Sequence, residues 1–173
     1  DHRDLHSFPT RRSSDLDFWT NEPFFPDKPE TWKDFDVDTF IDDGDEIKLG
    51  DKTIKVYSTP GHTPGGLSFI FNVRDLGVTH RAALWGGTNP PNNIADVSRY
   101  FKSLDYFLKQ TDACNVDVAL STHPFIDNGH NKMEFANERL SHMPNVFILG
   151  KEGYRQYCQI FRNMCYARLD GMK

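Results

Sequence analysis

One nonapeptide constrains this chain more than any other stretch: Ser58-Thr59-Pro60-Gly61-His62-Thr63-Pro64-Gly65-Gly66 spends five of its nine positions on proline or glycine. Prolines fix φ and glycines permit close backbone approach, so the segment is stiff, tightly turned and unable to continue a helix or a strand. Upstream, Glu46 to Leu49 and Thr53 to Ser58 flank a Gly50-Asp51 turn; with Ile54 and Val56 alternating on one face, they read as a hairpin. Downstream, Leu67 to Val73 and Arg81 to Trp85 are two more strands, parted by a polar turn around Asp75 to Gly77. A rigid turn in that position presents one imidazole, His62, from a fixed base. This suits a metal ligand or a catalytic base, and a turn with an incidental surface histidine fits the same text.

Further along, Ile94, Val97, Phe101, Leu104 and Leu108 recur at intervals of three and four, which predicts an amphipathic helix within Ile94 to Gln110. Val116 to Leu120 reads as a short apolar strand. A second helix is expected within Lys132 to His142, closed by Pro144. A third is expected from Lys151, with Tyr154, Tyr157, Ile160, Phe161 and Met164 as its apolar stripe. Strands interleaved with helices that are apolar on one side only predict an α/β (α+β) architecture, with helices packed outside a sheet layer. Residues 17–35 mix aromatics with three prolines and read as an extended segment draped over a surface, a wall of a cleft.

Composition narrows the partners. The 173 residues carry a net charge of -5 with lysines and arginines scattered, so the field offers nothing to a phosphate backbone, and nucleic acid is disfavoured. No apolar run approaches the roughly 20 residues of a membrane span. Cys114, Cys158 and Cys165 form no CxxC pair; Cys114 and Cys165 pairing in an oxidising compartment and buried free thiols are both compatible with the text. Residues 1–16, DHRDLHSFPTRRSSDL, have no helical or strand period and resemble the conceptual translation of a short-read sequencing adapter. They are expected to be non-native and disordered, so that His2 and His6 are set aside and the native domain begins at Asp17.

The string TPGHTPG after the DGDEIKLG-DKTIKV hairpin resembles the metallo-β-lactamase superfamily. The resemblance implies a partial αββα sandwich over residues 17–173, the later part of such a domain, with a mixed sheet and helices on its outer face. It implies that His62 is a ligand of a first zinc ion. Ser121-Thr122-His123-Pro124, at the end of the Val116 to Leu120 strand, is similar to the segment carrying the family's final histidine, which makes His123 a ligand of a second zinc. Arg81 to Thr88, RAALWGGT, resembles the strand and loop that in most of the family end in an Asp or Cys ligand; here Thr88 holds that place. Thr88 is therefore expected near the metal without binding it.

The family's HxHxDH motif, which lies upstream of TPGH and supplies the other ligands, does not occur in this sequence. The expectation is a zinc-dependent hydrolase of small molecules, two zinc ions in its complete form, with the present chain inactive alone because catalytic zinc takes three protein ligands. Two other readings stand beside it. One is a di-iron oxidoreductase on the same fold, for which an Asp at the Thr88 position would have spoken; the other is a metal-free scaffold that kept the fold and lost the chemistry. Among the remaining histidines, His80 before a strand and His142 at a helix end read as solvated or helix-terminal groups. His130, in the IDNGHNK loop, is kept as a substrate contact, while Asp127 and Asn128 beside it read as turn chemistry.

Overall fold

In the computed structural model, residues 10–11 and 39–172 are described. Of the adapter-like residues 1–16 only 10–11 are described; the rest of that segment and the aromatic stretch 17–35 lie outside the described residues. Thr10–Arg11 (β1) pairs in parallel with Thr39–Phe40 (β2).

The hairpin around Gly50-Asp51 forms as Glu46–Leu49 (β3) and Lys52–Ser58 (β4). Leu67–Asp75 (β5) and Val78–Leu84 (β6) follow, then Val118–Leu120 (β7). Five strands make one sheet in the order β3-β4-β5-β6-β7, antiparallel up to β6 and parallel between β6 and β7. The parallel step needs a crossover, and the helix Ile94–Ala113 (α1) supplies it. Gly129–Glu138 (α2) and Gly150–Asp170 (α3) complete the architecture.

The sheet has two unlike faces. One carries Tyr57, Ile70, Ala83 and Ala119, which share a single buried cluster with Val97, Tyr100, Leu104 and Phe107 of α1 and Tyr154, Tyr157, Cys158, Phe161 and Cys165 of α3. The other presents Ile54, Phe71, Ala82 and Val118 along one register row and Val56, Phe69, Leu84 and Leu120 along the next. Both faces are apolar, as expected of a sheet lying between layers rather than facing water. No helix among the described residues is long and apolar enough to cross a membrane.

The helices differ from expectation in phase and length. Along α1 the buried positions are Val97, Tyr100, Ser103, Leu104, Phe107 and Thr111, while Ile94 is exposed and Phe101 and Leu108 pack at the rim. The face has turned because Tyr100 can be buried: its hydroxyl accepts a hydrogen bond from Trp85 Nε1 at 3.0 Å and donates one to the Gly87 carbonyl. On α3, Cys158 and Cys165 replace Ile160, which is exposed, in the buried stripe. All three cysteines are free.

Helix α2 ends at Glu138, before His142, because Arg139 leaves the helix to pair with Asp75 and to bond the Met143 carbonyl at 2.9 Å. His142 is thus an exposed residue beyond the helix. His80 lies within β6, its Nδ1 2.6 Å from Asp117 Oδ2. Asp117 also takes the Arg81 amide at 2.9 Å, and its own carbonyl takes the Leu149 and Gly150 amides at 2.8 and 3.0 Å. His80 therefore belongs to the clasp that seats the start of α3 beside the start of β7.

Candidate metal-binding site

The sheet register decides which loops meet. Ser58 pairs with Leu67, Leu84 with Phe69, and Leu84 with Leu120, so the ends of β4, β6 and β7 lie along one edge. The segments 59–66, 85–93 and 121–128 leave from that edge, and they carry His62, Thr88 and His123. Three positions far apart in sequence are thereby brought to one end of the sheet. The clasp around Asp117 occupies the other.

The His62 turn is bolted to the helix beneath it. Thr59 and Gly66 close its base, the Thr59 amide bonding the Gly66 carbonyl at 2.7 Å, and Ser103 Oγ donates to the Pro60 carbonyl at 2.6 Å. Gly61 has φ +143, and a Cβ there would sit 2.6 Å from Tyr100 Cα; only glycine fits where the turn crosses the helix. The His62 side chain on this base is exposed, and no hydrogen bond or ion pair to it is recorded among the described residues.

The 85–88 segment is tied to the same base. Ser68 Oγ takes the Gly86 amide at 3.0 Å and lies 2.7 Å from Thr59 Oγ1, so one buried serine joins the two loops. Arg168, near the end of α3, bonds Asn89 and Asn92. Thr88 is 1% exposed, and its hydroxyl lies 2.9 Å from His123 Nδ1.

Thr122 Oγ1 stands 2.9 Å from the same ring nitrogen, and the His123 amide donates to Ser121 Oγ at 3.0 Å. A neutral imidazole has one N–H and one acceptor nitrogen. In the tautomer protonated at Nδ1, a threonine hydroxyl accepts that proton and Nε2 keeps its lone pair, the usual arrangement of a metal-ligating histidine oriented by an outer partner. Phe125, 74% exposed, meets the ring edge-on at a centroid distance of 5.5 Å.

His130 lies in the first turn of α2 rather than in a loop; it is exposed, and no recorded contact among the described residues joins it to His62, Thr88 or His123. Tyr100, Ser68 and Ser121, which floor and hold the three loops, were not singled out from sequence. Their only signal was position: a tyrosine inside a helical stripe, and serines flanking the turns.

Among the described residues no group of three or more His, Cys, Asp or Glu is placed to hold a metal ion. Two imidazoles fall short of the three protein ligands of a catalytic zinc, so these residues alone do not make a zinc centre.

No protein-family model matches the chain. A 51-residue stretch is 38% identical to the human mitochondrial persulfide dioxygenase ETHE1, covering 30% of this chain and 20% of that protein. Among solved structures, the chain is similar to BJP-1, a subclass B3 metallo-β-lactamase of Bradyrhizobium japonicum, with a TM-score of 0.64 and 21% identity over 95% of this chain and 65% of that one. Rm3 metallo-β-lactamase gives a TM-score of 0.68 and 22% identity over 94% and 64%. FEZ-1 metallo-β-lactamase from Legionella gormanii gives 0.65 and 23% over 81% and 54%. The chain thus spans less than two thirds of each of these proteins. At such identities the likeness to the solved structures is one of fold, and the fold of this chain is that of the metallo-β-lactamases.

Proposed function

We propose that this chain belongs to a zinc-dependent hydrolase of small molecules, to which it contributes His62 as a ligand of one zinc ion and His123 as a ligand of a second. The remaining ligands then come from residues outside 39–172. The observation that carries the reading is the buried Thr88 hydroxyl 2.9 Å from His123 Nδ1, at the same end of the sheet as the His62 turn. A structural histidine needs no such arrangement, which spends a buried hydroxyl to orient a ring whose other nitrogen has no recorded partner. In this reading their part is positional: His62 and His123 are presented from loops that leave the same end of the sheet. A β-lactam is the substrate class we slightly favour, because the Gly86-Gly87-Thr88 loop resembles that of the β-lactamase-like subclass whose second zinc takes no ligand from it.

The test is metal analysis of the protein from the complete gene, purified in zinc. His62→Ala and His123→Ala are each expected to lower zinc by about one equivalent, and Thr88→Val to weaken zinc at the His123 site by about tenfold. Unchanged zinc in both alanine variants would overturn the assignment. The similarity to a persulfide dioxygenase supports one other reading, an iron oxidoreductase. Iron in place of zinc, with oxygen uptake on a thiol persulfide and no hydrolysis of a chromogenic cephalosporin, decides for it. A protein that binds neither metal would be the scaffold alone.

A further inference from the structure

The loop between Thr88 and α1 has almost no backbone order of its own. Pro90 and Pro91 carry no amide hydrogen, and among the described residues the backbone of 88–92 has no recorded backbone partner. Order resumes at Asn93, whose side chain caps α1 by taking the Asp96 amide at 2.9 Å. Between Thr88 and that cap, the recorded hydrogen bonds among the described residues are those of Arg168: Nη2 donates to Asn89 Oδ1 at 3.3 Å, and Nη1 donates to Asn92 Oδ1. A planar guanidinium presents its N–H groups as a fixed fork, so one side chain spans two acceptors three residues apart. Arg168 thereby closes Asn89-Pro90-Pro91-Asn92 into a strap, in which Pro90 is buried.

The other arginines of α3 show what is particular about this one. Arg155 holds Asp112 through two nitrogens, at 2.9 and 3.1 Å, and Arg162 pairs with Asp105, both acids lying on α1. The two helices are tied to each other by those pairs. Arg168 instead reaches past the first residue of α1 to two neutral carbonyl oxygens of the loop. Its consequence falls on Thr88, which adjoins the first post of the strap. Two hydroxyls lie 2.9 Å from His123 Nδ1, but Thr122 is the neighbour of His123 in the chain and moves with it. Thr88 is the one that ties the ring to a different loop.

We propose that Arg168 is a positioning residue, whose fork sets the 88–93 loop so that the Thr88 hydroxyl meets His123 Nδ1 and fixes which ring nitrogen carries the proton. It acts through the strap and touches neither the ring nor anything that reacts. For its functional meaning the inference rests on the reading of His123 as a metal ligand, because a ligand must present a bare Nε2. The geometry of the strap does not depend on that reading.

The test is NMR of the full chain without metal, on Arg168→Met, Arg168→Lys and, from the loop side, the pair Asn89→Ala with Asn92→Ala. Lysine keeps the charge but carries all its donors on one atom, so it cannot reproduce the fork. In all three proteins the amide order parameters of Asn89 and Asn92 should fall from about 0.85 to about 0.6. At a pH where His123 is neutral, its ring nitrogen shifts should move from one dominant tautomer toward an even mixture. The melting temperature should drop by no more than about 3 °C, because the lost bonds lie near the surface. Joining Arg168→Met to the loop pair should add nothing, since both remove the same strap. Should Arg168→Met fail to fold, the loop pair carries the test alone. Order parameters that stay high, an unmoved tautomer balance, additive effects or full rescue by lysine would overturn the assignment. So would a melting temperature lower by about 6 °C or more with mobility spread along α1 and α3, which would make Arg168 a helix-packing residue. Zinc has no part in these readouts: a chain that shows them and takes up no metal would end the proposed function and leave the role of Arg168 intact.

Discussion

Gly86→Ala should destabilise the chain by about 3 kcal/mol or more, toward the upper end of what forcing atoms into a packed site does. A Cβ on residue 86 would stand 1.8 Å from the Leu67 carbonyl oxygen and 2.8 Å from its carbon, and both are backbone atoms. No rotamer relieves that contact. β5 and β6 must separate where Leu84 pairs with Phe69, and the Gly86 amide then leaves Ser68 Oγ, the serine that also holds Thr59. Because Thr88 follows by two residues, the change should carry the hydroxyl away from His123 as well. For a chain of this size the loss corresponds to a melting temperature lower by about 6–12 °C. Gly77→Ala is the control: its φ of +85 is unfavourable for alanine, but nothing lies within 4 Å of the added Cβ. That substitution should lose only about 1 kcal/mol. Equal melting temperatures for the two variants would show that a small backbone shift relieves the Leu67 contact and that residue 86 does not require glycine.

Much of the fold was legible because its signals are local. The Gly50-Asp51 hairpin, the strands on either side of the His62 turn and the period of α1 need only neighbouring residues to declare themselves. What stayed hidden depends on partners distant in sequence. Burial of Tyr100 turned α1 on its axis, and the reason lies 15 residues away on Trp85. Arg139 ended α2 early for the sake of Asp75, 64 residues upstream. The candidate site divides the same way. His62 is conspicuous in its stiff loop, and the resemblance set Thr88 and His123 near one metal, but no local pattern says that their side chains bond; the parallel pairing of β6 with β7 brings that about. Asp127 looked like turn chemistry because a buried carboxylate and an exposed one are spelled alike.

Tyr100→Phe should lose about 2–4 kcal/mol although it removes a single oxygen atom, since it strips the partner from two buried groups at once. The Tyr100 hydroxyl accepts from Trp85 Nε1 at 3.0 Å and donates to the Gly87 carbonyl, and burial holds its proton on well above the ordinary tyrosine value. Trp85 and Tyr100 are both 1% exposed or less, so water cannot replace the lost bonds without opening the core. The aromatic packing survives in the variant, because the rings of residues 85 and 100 meet edge-on at 5.4 Å whether or not the oxygen is present. The loss is therefore polar, and it falls under the site: a Cβ on Gly87 would already lie 2.9 Å from the Tyr100 ring, and the Tyr100 backbone floors Gly61. Denaturant unfolding gives the size of the effect, and faster exchange of the Trp85 indole proton identifies its cause. Adding Trp85→Phe to the variant removes one orphaned donor, and that double variant should lose less than the two single losses together. A Tyr100→Phe protein with wild-type stability and a protected indole proton would mean that the hydroxyl is not what holds the floor of the site.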